Sequence, residues 1–353
     1  MKKENSSLRF VVVVAIVAAV AVLFAYAADW LTPHTLTPGR FVDRFEQTNG
    51  QHPGFRRNHA KGVCVSGWFE SNGQGVTLSK ATIFQQGPVP VIGRFSLGGG
   101  MPYQVDAATT VRGLGLDFIP SKGEEWRTAM INLPVFPFAT PQAFYDQMLA
   151  LAPDPATGKP DPVKAREFFT KYPESAKAIA IIKSQPPSTG FENSTFHSLN
   201  AFRFINANGE TAWVRWSFVP VQPFEPFNAA HPEAADTNYL FDALIAAVHQ
   251  HPLQWHLILT IAQPGDPTDD ATHPWPSDRR QIDVGTLTIN QIQSDDTSAA
   301  RDINFDPLVL PDGIAPSDDP LLSARSAVYM RSFTRREGEP KSPSAVSPAE
   351  TEK

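Results

Sequence analysis

Between Ala60 and Val135 apolar and polar positions alternate in short runs, at 62–70, 76–84, 90–95, 111–119 and 126–133, separated by Gly, Pro and Ser clusters. A period of two with that punctuation predicts hairpin strands of an antiparallel sheet or barrel. The period then lengthens. Thr140-Pro141 opens a helix through Phe144, Met148 and Leu151, with threonine as cap and proline in the first turn. Residues 162–172 and 174–184 predict two more helices, broken at Pro173. A second β block follows at 201–206, 211–220, 255–263 and 281–289, with a turn at Asn206-Ala207-Asn208-Gly209. Inside that block, 237–249 places Leu240, Leu244, Ile245 and Val248 on one helical face. Residues 311–317 read as irregular and lead into a last helix over 318–334. Two β blocks with interposed helices predict an α+β architecture whose strands close into one barrel.

The ends of the chain carry different patterns. Lys2 and Lys3 precede an apolar run over 10–28, close to the roughly 20 residues that span a bilayer. Positive charge on that flank puts the N-terminus in the cytoplasm and the body across the membrane. Residues 1–28 are thus a membrane anchor or, through the small-x-small Ala25-Tyr26-Ala27, a cleaved signal. Either places the folded body in the periplasm or outside the cell. Residues 29–53, rich in Pro, Thr and Gly, read as an extended arm, 29–336 as the folded domain, and 337–353 as a disordered tail.

Composition narrows the chemistry. The net charge is -6 and no basic block stands out, which argues against a nucleic-acid partner. The single cysteine, Cys64, permits no intrachain disulfide and sits in an apolar strand, where an inert buried thiol is expected. Gly98-Gly99-Gly100 lacks a following Gly-Lys-Ser/Thr and is a loop rather than a phosphate cradle. The acidic stretch 266–270 with His273 has no zinc or EF-hand spacing, and His249-x-His251 reads as a helix end.

Two short segments carry more. In Arg56-Arg57-Asn58-His59-Ala60-Lys61-Gly62 a histidine opens the first strand, three positions after an arginine. A neutral imidazole can take a proton from one peroxide oxygen and return it to the other, an assistance worth roughly 10²–10⁴ in rate. In Arg325-Ser326-Ala327-Val328-Tyr329 an arginine precedes a tyrosine by one helical turn. Tyrosine binds ferric iron as phenolate, a form that the metal and a nearby guanidinium both favour. Arg56, Arg94 and Arg336 are candidates to receive the carboxylates of an anionic ligand.

The order of these pieces resembles the catalase family. Arg56 to Gly62, with Gly67-x-Phe69-Glu70 after it, is similar to the segment holding that family's distal histidine, and Arg94-Phe95-Ser96 to its Arg-Phe-Ser strand. Val111-Arg112-Gly113, Pro134-Val135-Phe136 with Phe144, Asn206 to Glu210, Phe305-Asp306-Pro307, Gly313-Ile314, Pro316-Ser317 and Arg325-x-x-x-Tyr329 with Arg336 complete the likeness over 54–336. The resemblance implies a catalase-type barrel, haem b, and peroxide chemistry. It assigns His59 as acid–base, Ser96 as its orienting partner and Tyr329 as axial ligand beside Arg325. Arg56, Arg94 and Arg336 would take propionates, and Phe144 would stack on the porphyrin.

The departures are informative. Ile131-Asn132-Leu133-Pro134 stands where the family reads Asn-Asn-Thr-Pro, so Asn132 is a catalytic candidate only if a bulge turns it inward. Polar Asn58 replaces an apolar residue before the histidine, Val328 an aromatic and Arg331 an acid around the tyrosine. The pattern is nearest to the small catalase-related peroxidases, which keep the core alone. The expectation is reduction of hydrogen or organic peroxides by small organic electron donors, above catalase activity, by a monomer or homodimer. The alternatives are a lipid-hydroperoxide dehydratase of the allene oxide synthase type and a non-catalytic haem or lipid carrier.

Overall fold

Alternation decides what the first four strands bury. In the computed structural model, which describes residues 4–27, 31, 35–120, 123–154, 156–227 and 237–348, β1 (Gly62–Ser71), β2 (Pro88–Leu97), β3 (Arg112–Phe118) and β4 (Trp126–Ile131) form an antiparallel meander. Val63, Val65 and Phe69, then Val91, Phe95 and Leu97, then Leu114, Leu116 and Phe118, then Trp126 and Met130, enter the main core. Arg94, Ser96, Gly113, Gly115, Ala129 and Ile131, one position out of step, stand on the outer face.

The sheet closes on itself. β5 (Phe196–His197), β7 (Thr211–Pro220), β8 (Leu253–Ile261) and β9 (Gln281–Gln293) continue it in the order β4-β5-β7-β8-β9-β1, so the two β blocks share one barrel, as the pattern predicts. β6 (Phe202–Ile205) and β10 (Ile314–Pro316) extend it from β7. Closure leaves those eight strands without free edges, and rings fill the inside: Phe118 stacks on Trp126 at 5.0 Å between centroids.

The helices follow their caps. α1 (Glu4–Ala27) contains the apolar span Ser7–Tyr26, 20 residues of mean hydropathy 2.9, long enough to cross a membrane by length and composition. α3 (Pro141–Ala150) starts where the Thr140 hydroxyl accepts the Ala143 N–H, 3.1 Å away. α4 (Pro162–Lys171) and α5 (Pro173–Lys183) meet at Pro173. α6 (Tyr239–Gln250) buries Leu240, Phe241, Leu244, Ile245 and Val248 in the barrel's core cluster. α7 (Pro320–Glu337) is capped by Asp319, whose Oδ1 accepts the Leu321 N–H at 2.9 Å.

Three expectations are corrected. The arm at 29–53 contains a helix, α2 (Pro38–Asn49), capped by Thr37 with Pro38 in the first turn and Phe41, Val42 and Phe45 buried along one face. The part of that arm at 29–30 and 32–34 lies outside the described residues. Residues 76–84 do not form a strand: 3₁₀ turns at Gln74–Thr77 and Thr82–Phe84 fold the segment back on itself. Gly75 packs against the Phe84 ring, where a Cβ would lie 2.4 Å from it, and both Ile83 and Phe84 enter the core. The tail is not without structure as far as residue 348. Glu339 pairs with Arg57, Lys341 with Asp302, and Val346 is buried in the main core.

One buried ion pair ties the first strand to the loop after β2 and to α6. Lys61 Nζ lies 2.7 Å from Asp106 and also donates to the carbonyls of Gln104 and Thr237, while Asp106 accepts the Leu240 N–H. Lys61→Met leaves the Asp106 carboxylate buried and unpaired. It is expected to lower unfolding free energy by about 3–5 kcal/mol in urea denaturation, and adding Asp106→Leu should recover much of the loss.

Candidate active site

The site lies outside the barrel, between its wall and the helices. On the wall are Ser96 and Arg94 of β2, Gly113 and Gly115 of β3, and Ala129 and Ile131 of β4. Facing them, α7 presents Leu321, Ala324, Arg325, Val328, Tyr329, Ser332, Phe333 and Arg336, a single stripe at helical spacing. Phe41 and Phe45 of α2 and Phe144 of α3 close another side. Together they enclose a cavity of about 630 Å³. His59, Ser96, Tyr329, Arg56, Arg94, Arg325, Arg336 and Phe144, far apart in sequence, all line it.

His59 is held from three directions. Its backbone takes the left-handed conformation, φ +57°, uncommon outside glycine. Its Nδ1 lies 3.0 Å from Ser96 Oγ, its N–H donates to Asn58 Oδ1 at 3.0 Å, and its carbonyl accepts from Arg94 Nη1 at 2.8 Å. Gly113 makes the close approach possible: a Cβ there would meet Ser96 Oγ at 2.8 Å and the imidazole at 2.9 Å. Burial, then the charges of Arg94, Arg56 and Arg325, lower the imidazole to about 4. It is neutral at neutral pH and free to accept a proton.

The guanidinium groups divide by partner. Arg94 binds Asp295 through Nε and Nη2, both at 2.9 Å, and donates to the carbonyls of His59 and Ala60. That uses Nε–H, one Nη1–H and both Nη2–H, leaving one Nη1–H. Of the three arginines expected to receive propionates, Arg94 thus has its charge already matched by Asp295, and its geometry serves the His59 backbone. Burial alone would raise the Asp295 carboxyl, but the bound guanidinium holds it below the usual range. Asp295 also accepts from Cys64, whose thiol burial pushes up to about 12. Among the described residues, Arg56 and Arg336 have no such carboxylate in contact. Arg56 donates through Nη2 to three carbonyls, and Arg336 Nη2 is buried with no partner among the described residues. Burial, then the Arg336 and Arg94 charges, push Arg56 well below its ordinary range; burial, then Arg94, bring Arg336 to about 10. Unmatched cations in an aromatic cavity fit a flat, apolar ligand with acidic groups at one edge, as haem is.

On the helix side, the Arg325 guanidinium lies 5.8 Å from the Tyr329 ring centroid. Arg325 is fixed by Asn200 Oδ1 at 2.7 Å and the Ala129 carbonyl at 2.6 Å, so it reaches across to the barrel wall. Phe144 stacks on Phe138 at 4.9 Å with rings nearly parallel. Asn132 is not brought in. Its Oδ1 accepts the Arg112 N–H at 2.8 Å, and Ile131 and Leu133 on either side of it line the cavity. No bulge intervenes, so strand alternation carries its amide to the other face. The sequence reading missed Asp295, Asn200, Phe41 and Phe45. Only the last two left a signal, as an i, i+4 pair behind the Thr37-Pro38 cap.

With this geometry in view, the comparisons are specific. A sequence model of the catalase family matches residues 28–342. The chain is 42% identical over 301 residues to the catalase-related peroxidase of Synechococcus elongatus, spanning 85% of this chain and 89% of that one. It is 32% identical to the catalase-related peroxidase of Mycolicibacterium paratuberculosis over 86% and 96% of the two chains. A fungal catalase structure superposes with a TM-score of 0.72 at 20% identity, covering 84% of this chain and 62% of that one; at that identity the likeness shows the fold. The chain belongs to the catalase family, and it matches two of that family's catalase-related peroxidases over most of their length.

His197 repeats the first histidine's arrangement outside the cavity lining: its Nδ1 lies 2.8 Å from Ser217 Oγ, and burial lowers it to about 4. Both imidazoles are thus depressed from 6.5. As pH falls below 6.5 the unfolded chain gains protons that the folded chain refuses until about pH 4. Stability should therefore fall across that window, by on the order of 3 kcal/mol for each imidazole. Urea midpoints measured from pH 7 to 4.5 should decline less steeply in a His59→Gln/His197→Gln double variant.

Proposed function

We propose that this chain is a haem b peroxidase that reduces hydrogen peroxide or small organic peroxides at the expense of small organic one-electron donors. The observation that carries the reading is one cavity bearing a neutral, hydroxyl-tethered imidazole, a tyrosine beside a guanidinium, and two guanidinium groups without carboxylates. Tyr329 would hold the iron, with the Arg325 charge beside its ring. Arg56 and Arg336 would receive the propionates, and Phe144 and its aromatic neighbours would cover a porphyrin face. Haem, when bound, would supply the redox-active iron that passes the two oxidising equivalents of the peroxide on to the donor.

The chain's own part is proton handling. Ser96 keeps His59 Nδ1 engaged, which leaves Nε2 to receive a proton from the near peroxide oxygen. The same atom returns that proton to the far oxygen, which leaves as water. Two electrons and two protons from the donor complete the reduction of one peroxide to two waters. The charges of Arg94, Arg56 and Arg325 keep the imidazole a weak base, so the returned proton is given up readily. Ile131 presents only an alkyl group to the cavity, and the Asn132 amide is turned away. A second molecule of peroxide is therefore held less well as reductant, which favours organic donors. The relatives matched over most of their length are named peroxidases, which supports this reading over a hydroperoxide dehydratase or a carrier. The lysines before α1 put the body on the far side of a membrane, in the periplasm for a two-membrane cell, held by α1 or released from it. A monomer or homodimer suffices, because no site residue need come from a second copy.

His59→Gln should slow peroxide reduction by about 10²–10⁴ while haem content is retained, read by rapid mixing at the Soret band. Tyr329→Phe should abolish the ferric phenolate signature in the visible spectrum; an unchanged spectrum would refute the ligand assignment. In the wild type the acid limb of the rate profile should lie near pH 4 rather than 6.5, because only below that value does His59 hold a proton and cease to be a base.

A further inference from the structure

Asn58 is bound in an unusual way for a residue beside an acid–base histidine. Its Oδ1 accepts two backbone hydrogen bonds, from His59 N–H at 3.0 Å and from Gly99 N–H at 2.8 Å. Two N–H donors on one side decide which end of the amide is which: oxygen towards the loop, Nδ2 away from it. That nitrogen makes no hydrogen bond among the described residues, and Asn58 lines the cavity beside His59. The neighbouring polar groups on this wall are largely engaged, with one Arg94 Nη1–H left over. The Ser96 hydroxyl is spent on His59 Nδ1, and Arg94 on Asp295 and two carbonyls.

We propose that Asn58 is a second catalytic residue, its Oδ1 holding His59 in place and its Nδ2 donating a hydrogen bond to the peroxide oxygen that His59 deprotonates. This rests on the peroxidase reading. As the proton leaves, negative charge grows on that oxygen, and a fixed donor in a water-poor site stabilises it. A neutral amide does so without another cation against His59, which already faces Arg94, Arg56 and Arg325. The same side chain stabilises the left-handed backbone of His59, so the donor and the base move as one unit.

Three haem-loaded variants test it: Asn58→Asp, Asn58→Leu and His59→Gln. Each is followed by the rate of reaction with hydrogen peroxide across pH and by hydrogen exchange of the peptides covering 56–62 and 96–101. Asp keeps the accepting oxygen and loses the donor. Its exchange should match the wild type, its rate on the alkaline plateau should fall about 10–100-fold, and its acid limb should move to higher pH because a carboxylate favours the imidazolium. Leu loses both functions and should exchange faster and react more slowly still. A wild-type plateau rate in Asn58→Asp, with His59→Gln slow, overturns the donor role alone. Loosening of the loop in Asn58→Asp equal to that in Asn58→Leu makes the residue scaffold and also overturns it. A full rate in His59→Gln overturns the peroxidase reading beneath it.

Discussion

Positive charge buried without matching negative charge is the constraint on which the rest of this structure depends. Among the described residues, Arg56 and Arg336 lie against an aromatic cavity with no carboxylate in contact, and the hydrogen bonds of Arg325 go to an amide oxygen and a carbonyl. Such an arrangement costs folding free energy in an empty cavity and is offset when an anion enters. The same charges add to burial in lowering the His59 imidazole, so the groups that would suit an anionic ligand also act on the histidine. Asp295 marks the limit of this arrangement: its contact ion pair is with Arg94, the guanidinium that holds the His59 backbone.

The barrel serves as a wall, not a container. Its inside is packed with rings, and its outer face is stripped to Gly113, Gly115 and Ala129 wherever the cavity must approach it. Gly115 makes room for Phe305 as Gly113 does for His59 and Ser96. The opposing surface is assembled from both ends of the chain. Glu46 of α2 accepts from Arg57 and Arg335, Asp43 from Arg335, and Glu339 from Arg57. These pairs clamp the histidine loop, α2, α7 and the segment after it into one unit, and partial burial makes them stronger than exposed pairs.

Much of this was legible before folding. The alternating runs, the Thr140 cap and the Pro173 break carried the barrel and several helices, because period and capping are local physics. His59, Ser96, Tyr329, Arg325 and Phe144 were recognisable through their order along the chain, and all line the cavity. The failures have local causes too. Residues 76–84 have strand composition, but Gly75 lets the chain collapse onto Phe84, so packing overrode propensity. The tail is polar by composition, yet Glu339 and Val346 each find one long-range partner surface, and no periodicity records such contacts.

By itself the sequence determined which residue types exist to do chemistry and which face of each strand and helix they occupy, since alternation and helical spacing are properties of the backbone. That alternation already implied that Asn132 and Ile131 cannot both face the cavity. Only the tertiary structure decided which guanidinium keeps its charge unmatched, because Asp295 lies 201 positions from Arg94 and meets it through barrel closure. It likewise decided that the Asn58 oxygen is held by two backbone N–H groups, which turns its nitrogen away from that loop, since the orientation of a side chain is set by donors that arrive from elsewhere in the fold.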